Sequence, residues 1–224
     1  MFHLIRNNDP FYKLDPAVAD TLEDRDEGSA PPGATDRRVR ADAQRSLDAL
    51  LLAAKAVFAT AGVDAPVRQI AERAGVGLGT LYRHFPQRAD LIAAVFRREI
   101  DACADAAPIL AAERAPFEAL AGWMQRYAAF ITAKRGLAEA LHSGDPAYDN
   151  LPGYFDQRLR PALGALLDTA AGAGEVRADV DADELLGAVA SLCLSSYNAG
   201  PGRAERMVAL LVDGLRYGAA ADRA

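Results

Sequence analysis

The side chains best able to do chemistry lie between residues 66 and 88, and their chemistry is hydrogen bonding to anions and to base edges. At 100° per residue, a helix over residues 78–85 presents Thr80, Arg83 and His84 on one side and apolar side chains on the other. Hydroxyl, guanidinium and imidazole groups bond phosphate oxygens and the edges of bases. This pattern indicates a surface that enters the major groove of DNA.

The elements that hold this surface are indicated by Ala71, Gly75 and Leu81. These residues lie four and six positions apart in the chain, which is the spacing of a helix-turn-helix. Ala71 supplies a small contact between two short crossing helices, Gly75 supplies a turn with positive φ, and Leu81 packs back onto Ala71. Pro66 opens the first helix and Pro86 ends the second. The apolar side of the second helix consists of Leu81 and Phe85, with Leu78 nearby.

Three further residues flank the polar side of the second helix. Gly79 allows the backbone to approach DNA closely, and Tyr82 lies where its hydroxyl group can reach a phosphate. Arg88 begins a fourth helix, where a cation and free amide groups can both meet a phosphate.

The segment from about Arg45 to Val95 resembles the DNA-binding domain of the tetracycline-repressor (TetR) family. The resemblance is carried by the run Gly79-Thr80-Leu81-Tyr82-Arg83-His84-Phe85, followed by Arg88 and Leu91. Further agreement lies at Ala54, Val57, Phe58, Gly62, Ile70, Ala71, Gly75 and Val76.

By position, the resemblance implies that Thr80, Tyr82 and His84 contact DNA, with Tyr82 on a phosphate. It also implies that Arg68 reads a base and that Arg88 binds a phosphate. The chain departs from the family at two places. Gly77 stands where many members have a capping serine or threonine, and glycine caps nearly as well. Leu78 stands where some members have a polar base reader, which suggests contact with a thymine methyl group instead.

Simpler interpretations exist for some of these side chains. Tyr82 could be a core residue, and His84 could end its helix without touching DNA. The cluster Arg37-Arg38-Val39-Arg40 is either a solvated lead-in or an arm that contacts the minor groove and phosphates. The sequence leaves both interpretations of the cluster open.

Charge is distributed unevenly over the 224 residues, whose formal net charge is −6. Residues 36–100 carry 11 basic and 7 acidic side chains, whereas residues 1–35 carry 3 basic and 7 acidic ones. A localised basic segment is the expected electrostatic signature of a protein that binds a phosphate backbone.

The remaining features favour a cytoplasmic protein without a cofactor or metal. We find no signal peptide and no apolar run long enough to span a membrane. Cys103 and Cys193 are interpreted as buried hydrophobic residues, with a redox switch as the alternative. His3, His84 and His142 have no metal-ligand spacing.

Helical periodicity and the absence of alternating strand patterns predict an all-α fold. We expect a disordered tail at 1–35, a helix-turn-helix DNA-binding domain at 36–86, a connecting helix at 87–107 and a helical ligand-binding and dimerisation domain at 108–224. The first helix is predicted at 41–61, and Pro108 is predicted to end the connecting helix. Further helices are predicted at 116–134, 136–142, 152–172, 181–198 and 203–218.

The last two predicted helices carry apolar stripes suited to a homodimer, which a two-fold operator requires. The first stripe consists of Leu185, Leu186, Val189, Leu192, Cys193 and Tyr197. The second consists of Met207, Leu210, Leu211, Gly214, Leu215 and Gly218. The alternative is that both stripes face only their own core.

Aromatic residues in the preceding helices suit a cavity for a small apolar inducer, although each could instead be plain core. The candidate ligand-binding residues are Trp123, Tyr127, Phe130, His142, Tyr154 and Phe155.

Together these observations favour a DNA-binding transcriptional regulator, a repressor that a small apolar ligand releases from double-stranded operator DNA. The alternative is a regulator or architectural DNA-binding protein without an inducer. An enzyme is not favoured, because Ser143 beside His142 has no third partner and Gly77-Leu78-Gly79 is too short for a dinucleotide motif.

Overall fold

Helices form the regular secondary structure of the described residues, which are 34–133, 144–195 and 202–217 of a computed structural model. The all-α prediction is therefore confirmed for this part of the chain. The helices are α1 (Ala34–Ala61), α2 (Val67–Arg73), α3 (Leu78–His84), α4 (Arg88–Glu113), α5 (Pro116–Ala133), α6 (Leu151–Gly172), α7 (Ala182–Ser195) and α8 (Arg203–Gly214). A short 3₁₀ helix, Pro146–Tyr148, precedes α6. The contacts described below belong to residues 41–224, which form one compact unit.

A small hydrophobic core joins α1, α2, α3 and the start of α4. Helix α1 contributes one apolar face to it, because its leucines, alanines and valine recur on one side of the helix. This small core consists of Leu50, Leu51, Ala53, Ala54, Val57, Ala65, Ile70, Ala71, Leu81, Phe85, Leu91 and Val95. Two ion pairs also connect α1 to α4: Asp48–Arg98 at 2.7 Å and Lys55–Glu99 at 2.9 Å.

A larger core is formed by helices α4, α5, α6, α7 and α8. Its most deeply buried large side chains include Trp123 and Tyr127 of α5, Ile100 of α4, and Leu159 and Leu163 of α6. Helix α4 contributes to both cores, because Leu91 and Val95 face the small core while Ala89, Ile92 and Phe96 face the large one.

Two helix boundaries differ from the predictions. Helix α1 begins at Ala34 rather than near Ala41. Its side chains from Arg37 to Arg45 are exposed, so the sequence has no buried apolar face there from which the earlier start could be predicted. Helix α4 continues through Pro108 to Glu113, which corrects the predicted end at residue 107. Burial of Ala107 and Leu110 on both sides of the proline offsets its missing hydrogen bond.

The other predicted helix bounds agree with the structure to within a few residues. The helix predicted at 136–142 and nearly all of the tail predicted at 1–35 lie outside the described residues. No helix of the described part is long and apolar enough to cross a membrane.

Candidate nucleic-acid interface

The turn between α2 and α3 is closed by backbone hydrogen bonds around Gly75. The amide of Gly75 donates to the carbonyl of Glu72 at 3.2 Å, and the amide of Val76 donates to the carbonyl of Ala71 at 3.0 Å. Gly75 has φ = +68°, and a Cβ atom at this position would meet no atom within 4 Å. Glycine is needed here for its backbone conformation rather than for space, as the sequence predicted.

Helix α3 begins at Leu78, and its N-cap residue, Gly77, is extended and provides no side-chain cap. The carbonyl of Gly77 accepts from the amides of Thr80 at 3.0 Å and Leu81 at 3.2 Å, which starts the helix. Leu81 and Phe85 are buried in the small core, as the helical wheel predicted. The opposite side of α3 is therefore directed away from the core.

The predicted DNA-binding residues lie on α2 and α3, except Arg88, which is the first residue of α4. The side chain of Tyr82 is 52% exposed, which excludes the interpretation of this residue as pure core. The exposed members of the predicted set are Arg68, Gly79, Tyr82 and Arg83, and the half-buried members are Leu78, Thr80, His84 and Arg88. The His84 ring lies against Phe85, with centroids 6.2 Å apart.

Arg68 lies in the first turn of α2, and its guanidinium group faces Glu72. The distance from Nε of Arg68 to Oε1 of Glu72 is 3.6 Å, and both side chains are exposed. An exposed pair of this kind stabilises a helix by a few tenths of a kcal/mol, on the order of 0.3–0.5. Arg68 can therefore exchange Glu72 for a base edge at little cost.

Arg88 has a different environment from the one the sequence suggested. Its Nη1 atom donates to the carbonyl of Val63 at 2.5 Å and to that of Ala65 at 2.8 Å, both in the loop before α2. Two amides at the start of α4, those of Gln87 and Asp90, are also engaged, because these residues form a capping box. The side chain of Arg88 thus has partners within the protein before any DNA is bound.

The candidate ligand residues of α5 are packed against one another. The Trp123 and Tyr127 rings stack with centroids 5.7 Å apart, and Phe130 lies 6.2 Å from Tyr127. The Nε1 atom of Trp123 donates to the carbonyl of Cys103 at 2.8 Å, and the Tyr127 hydroxyl donates to that of Leu186 at 3.3 Å. These polar atoms therefore already have partners in the protein.

Helix α6 adds Phe155 and Tyr154 to this region, while His142 lies outside the described residues. Phe155 lies 6.1 Å from the Tyr127 ring. The Tyr154 hydroxyl donates to Asp101 of α4 at 2.6 Å, and this hydrogen bond raises the pKa of Tyr154. Arg158 also contacts Asp101, at 2.8 Å. Tyr154 is thus part of a polar contact between α4 and α6.

A cavity of about 330 Å³ lies between α6 and α7. It is lined by Asp156, Arg160, Asp183, Leu186 and Gly187. Sequence reasoning missed this cavity because charged residues on a helix surface resemble any solvated face. The described residues contain no group of three His, Cys, Asp or Glu side chains arranged to hold a metal ion.

The described members of the first apolar stripe, on α7, are buried or half-buried, whereas the second stripe divides between the core and the surface. Leu185, Leu186, Val189 and Cys193 of the first stripe are buried in the large core, and so is Leu215 of the second. Leu210 of the second stripe is 65% exposed, and Leu194 of α7, which is not a member of the first stripe, is 58% exposed. Large apolar side chains therefore remain on the surface of both helices. Tyr197 and Gly218 of the predicted stripes lie outside the described residues.

Two models of known protein families match separate parts of the chain. Residues 50–95 match the model of bacterial regulatory proteins of the tetR family. Residues 115–217 match the model of the C-terminal domain of SbtR-like transcriptional regulators.

Solved structures and a curated relative agree with these matches. The chain is 43% identical to a TetR transcriptional regulator from Streptomyces coelicolor, with a TM-score of 0.65 over 75% of this chain and 97% of that one. It is 37% identical to a TetR transcription regulatory protein from Mycobacterium vanbaalenii, with a TM-score of 0.62 over 80% of this chain and 99% of that one. It is also 38% identical over 85 residues to the HTH-type transcriptional activator FasR of Mycolicibacterium smegmatis, a match that spans only 38% of each chain.

Proposed function

The chain belongs to the TetR family of bacterial transcriptional regulators, and from this premise we propose that it is a repressor that binds a two-fold operator as a homodimer. The observation that carries the proposal is the outer surface of α2 and α3, where Arg68, Tyr82 and Arg83 are exposed. A helix of this kind enters the major groove and contacts base edges. The protein acts in the cytoplasm, where bacterial DNA is found.

The proposed roles within this surface follow from the chemistry of each group. Arg68 reads a guanine edge, because a guanidinium can donate to both guanine acceptors, and Thr80 contacts a neighbouring base. Tyr82 and Arg83 contact phosphates, His84 contacts DNA at the end of α3, and Leu78 touches a thymine methyl group. Gly79 allows the backbone to approach the groove.

The proposed homodimer uses the exposed apolar side chains of α7 and α8. Leu194 and Leu210 support this assignment, because large exposed apolar side chains are typical of protein interfaces. Two helices from each subunit would form a four-helix bundle. A dimer places two recognition helices one turn of DNA apart, which a two-fold operator requires.

We further propose that a small apolar ligand releases the protein from DNA by binding among the aromatic residues of α5 and α6. The supporting observation is their concentration in one region: Trp123, Tyr127, Phe130, Tyr154 and Phe155 lie on these two helices. The candidate His142 keeps the same proposed role. Ligand binding and DNA binding must then weaken each other to the same extent, because coupling between two sites is reciprocal.

A second candidate is a regulator without an inducer. It is favoured by the packing of Trp123 and Tyr127, whose rings stack on each other and whose polar atoms bond backbone carbonyls. Activation instead of repression is favoured by the name of the FasR relative, which is called an activator.

The test of DNA binding is selection of binding sites from random DNA with the full chain. We expect a two-fold site, and the purified protein should bind that site more tightly than a scrambled duplex. Enrichment of no sequence, with equal affinity for all duplexes, would contradict sequence-specific regulation and favour an architectural protein.

The test of the ligand is a thermal-shift screen of small apolar compounds, followed by titration of the selected operator with each stabilising compound. A ligand at 100 times its dissociation constant stabilises by about 2.7 kcal/mol. We expect at least one compound to raise the melting temperature and to weaken operator binding. Stabilisation without any change in operator affinity would favour the regulator without an inducer.

A further inference from the structure

Arg88 connects the first turn of α4 to the loop between α1 and α2. It is the first residue of α4, is half-buried, and lies 25 residues after Val63 in the chain. One nitrogen atom, Nη1, donates to two backbone carbonyls, those of Val63 and Ala65. Hydrogen bonds from an ionised donor are roughly twice as strong as neutral ones, so this contact restrains the loop.

The loop has few other hydrogen bonds to hold it. It begins at Gly62, whose φ is +78°, and the amide of Ala65 donates to the Gly62 carbonyl at a long distance of 3.3 Å. Ala65 itself is buried in the small core. The contact from Arg88 therefore fixes the orientation of two peptide groups of the loop, Val63–Asp64 and Ala65–Pro66.

The position of this loop determines where α2 begins. Pro66 ends the loop, its carbonyl accepts from the amide of Gln69 at 3.0 Å, and α2 starts at Val67. Arg68 follows directly, in the first turn, with its side chain exposed. A shift of the Val63–Ala65 peptides would thus move Arg68 relative to α3.

We propose that Arg88 is a positioning residue for sequence-specific binding, which acts by holding the loop that places Arg68 against the operator. The proposal rests on the role of Arg68 in the proposed function. It differs from the phosphate-binding role that the sequence suggested for Arg88, because a phosphate contact adds affinity for any DNA whereas a positioning contact adds discrimination. The two roles predict different salt dependence.

The experiment compares Arg88→Ala with the unaltered full chain on the selected operator and on a scrambled duplex, at several salt concentrations. If Arg88 acts by positioning, operator affinity should fall roughly 5- to 100-fold, the range of one lost base contact. Affinity for the scrambled duplex and the slope of log K against log salt should stay unchanged. An equal loss on both duplexes, with the slope reduced by about one unit, would overturn the proposal in favour of a phosphate contact.

A double-mutant cycle tests whether Arg88 acts through Arg68. The combined Arg88→Ala and Arg68→Ala substitutions should weaken operator binding no more than Arg68→Ala alone, because the positioned group is then absent. Full additivity of the two losses would contradict positioning of Arg68. Arg73→Ala is the matched control, since it removes the charge of an exposed arginine from α2, the helix that carries Arg68. This variant should leave the operator preference intact.

Amide hydrogen exchange in the free protein tests the loop contact without DNA, so the result stands even if no operator is found. Exchange at residues 63–69 should be faster in Arg88→Ala and unchanged in Arg73→Ala. Unchanged exchange in Arg88→Ala would overturn the proposal. Arg88→Gln, which keeps an amide donor without a charge, serves if the alanine variant does not fold, and it should restore part of the protection.

Discussion

The proposed function divides the residues on the outer surface of α2 and α3 into those that read the base sequence and those that contact the DNA backbone. Arg68→Ala should cost specific binding about 1–3 kcal/mol and leave binding to random DNA nearly unchanged, because a base contact carries sequence information. Tyr82→Phe should weaken both by a similar factor, because its hydroxyl is assigned to a phosphate. Titration of each variant against operator and scrambled duplex checks these outcomes. Equal losses on both duplexes for Arg68→Ala would move this residue to the phosphate group.

We expect the free energy of unfolding to depend on pH in the alkaline range because of Tyr127. Burial raises the pKa of its hydroxyl well above the ordinary value of about 10. Below that value the hydroxyl is neutral in both the folded and unfolded states. Above it the unfolded state releases its proton first, so the free energy of unfolding falls, by up to about 1.4 kcal/mol per pH unit.

The measurement is urea unfolding between pH 8 and pH 11. Over this range the free energy of unfolding of Tyr127→Phe should depend less on pH than that of the unaltered chain. Tyr127→Phe should also be somewhat less stable at pH 8, because it lacks the bond to the Leu186 carbonyl. Parallel pH profiles for the two proteins would show that ionisation of Tyr127 is not linked to unfolding.

At the scale of elements, Pro108 is an unusual interior residue of α4. It removes one backbone hydrogen bond, and its side chain is exposed, so replacing it removes few contacts. Pro108→Ala should therefore raise the free energy of unfolding by about 1–3 kcal/mol. Chemical unfolding measures the change, and Ile109→Ala, at an exposed neighbouring position, is the control for the loss of surface contacts. A loss of stability in Pro108→Ala would mean that the helix requires the proline geometry here.

The elements of the DNA-binding region could be predicted because each boundary carries its own local signal. Gly62 and Gly75 have positive φ, and Pro66 precedes the start of α2, so backbone sterics alone mark the turns. The continuation of α4 beyond Pro108 could not be predicted in this way. It depends on burial of Leu110 against other helices, a contact between residues distant in sequence.

The candidate sites were predictable to different degrees for the same reason. The wheel of α3 separated buried Leu81 from exposed Tyr82, because helical periodicity fixes which side faces the core. The partners of Arg88 are backbone carbonyls, which no side-chain pattern reveals. Aromatic residues such as Trp123 have the same sequence signature whether they fill a core or line a cavity.

At the scale of the whole molecule, the proposed dimer depends on side chains that the single chain leaves on its surface. Leu210→Asp should dissociate the dimer and abolish operator binding, since a buried unpaired carboxylate at the interface is strongly unfavourable. Sedimentation of the full chain at micromolar concentration measures the assembly. Ile109→Asp is the matched control, because Ile109 is 47% exposed on α4, outside the proposed interface. A monomeric unaltered chain, or an unaffected dimer in Leu210→Asp, would contradict the assignment.

The placement of α4 in both cores has a consequence for how the protein melts. Neighbouring side chains of this helix, Leu91 and Ile92, belong to different cores, so neither core can lose the helix without exposing apolar surface of the other. Calorimetry of the full chain should accordingly give one heat-absorption peak whose calorimetric and van't Hoff enthalpies agree. Substituting Leu91 by alanine should lower the temperature of that single peak without splitting it. Helix α3 and the core around Trp123 would then unfold together.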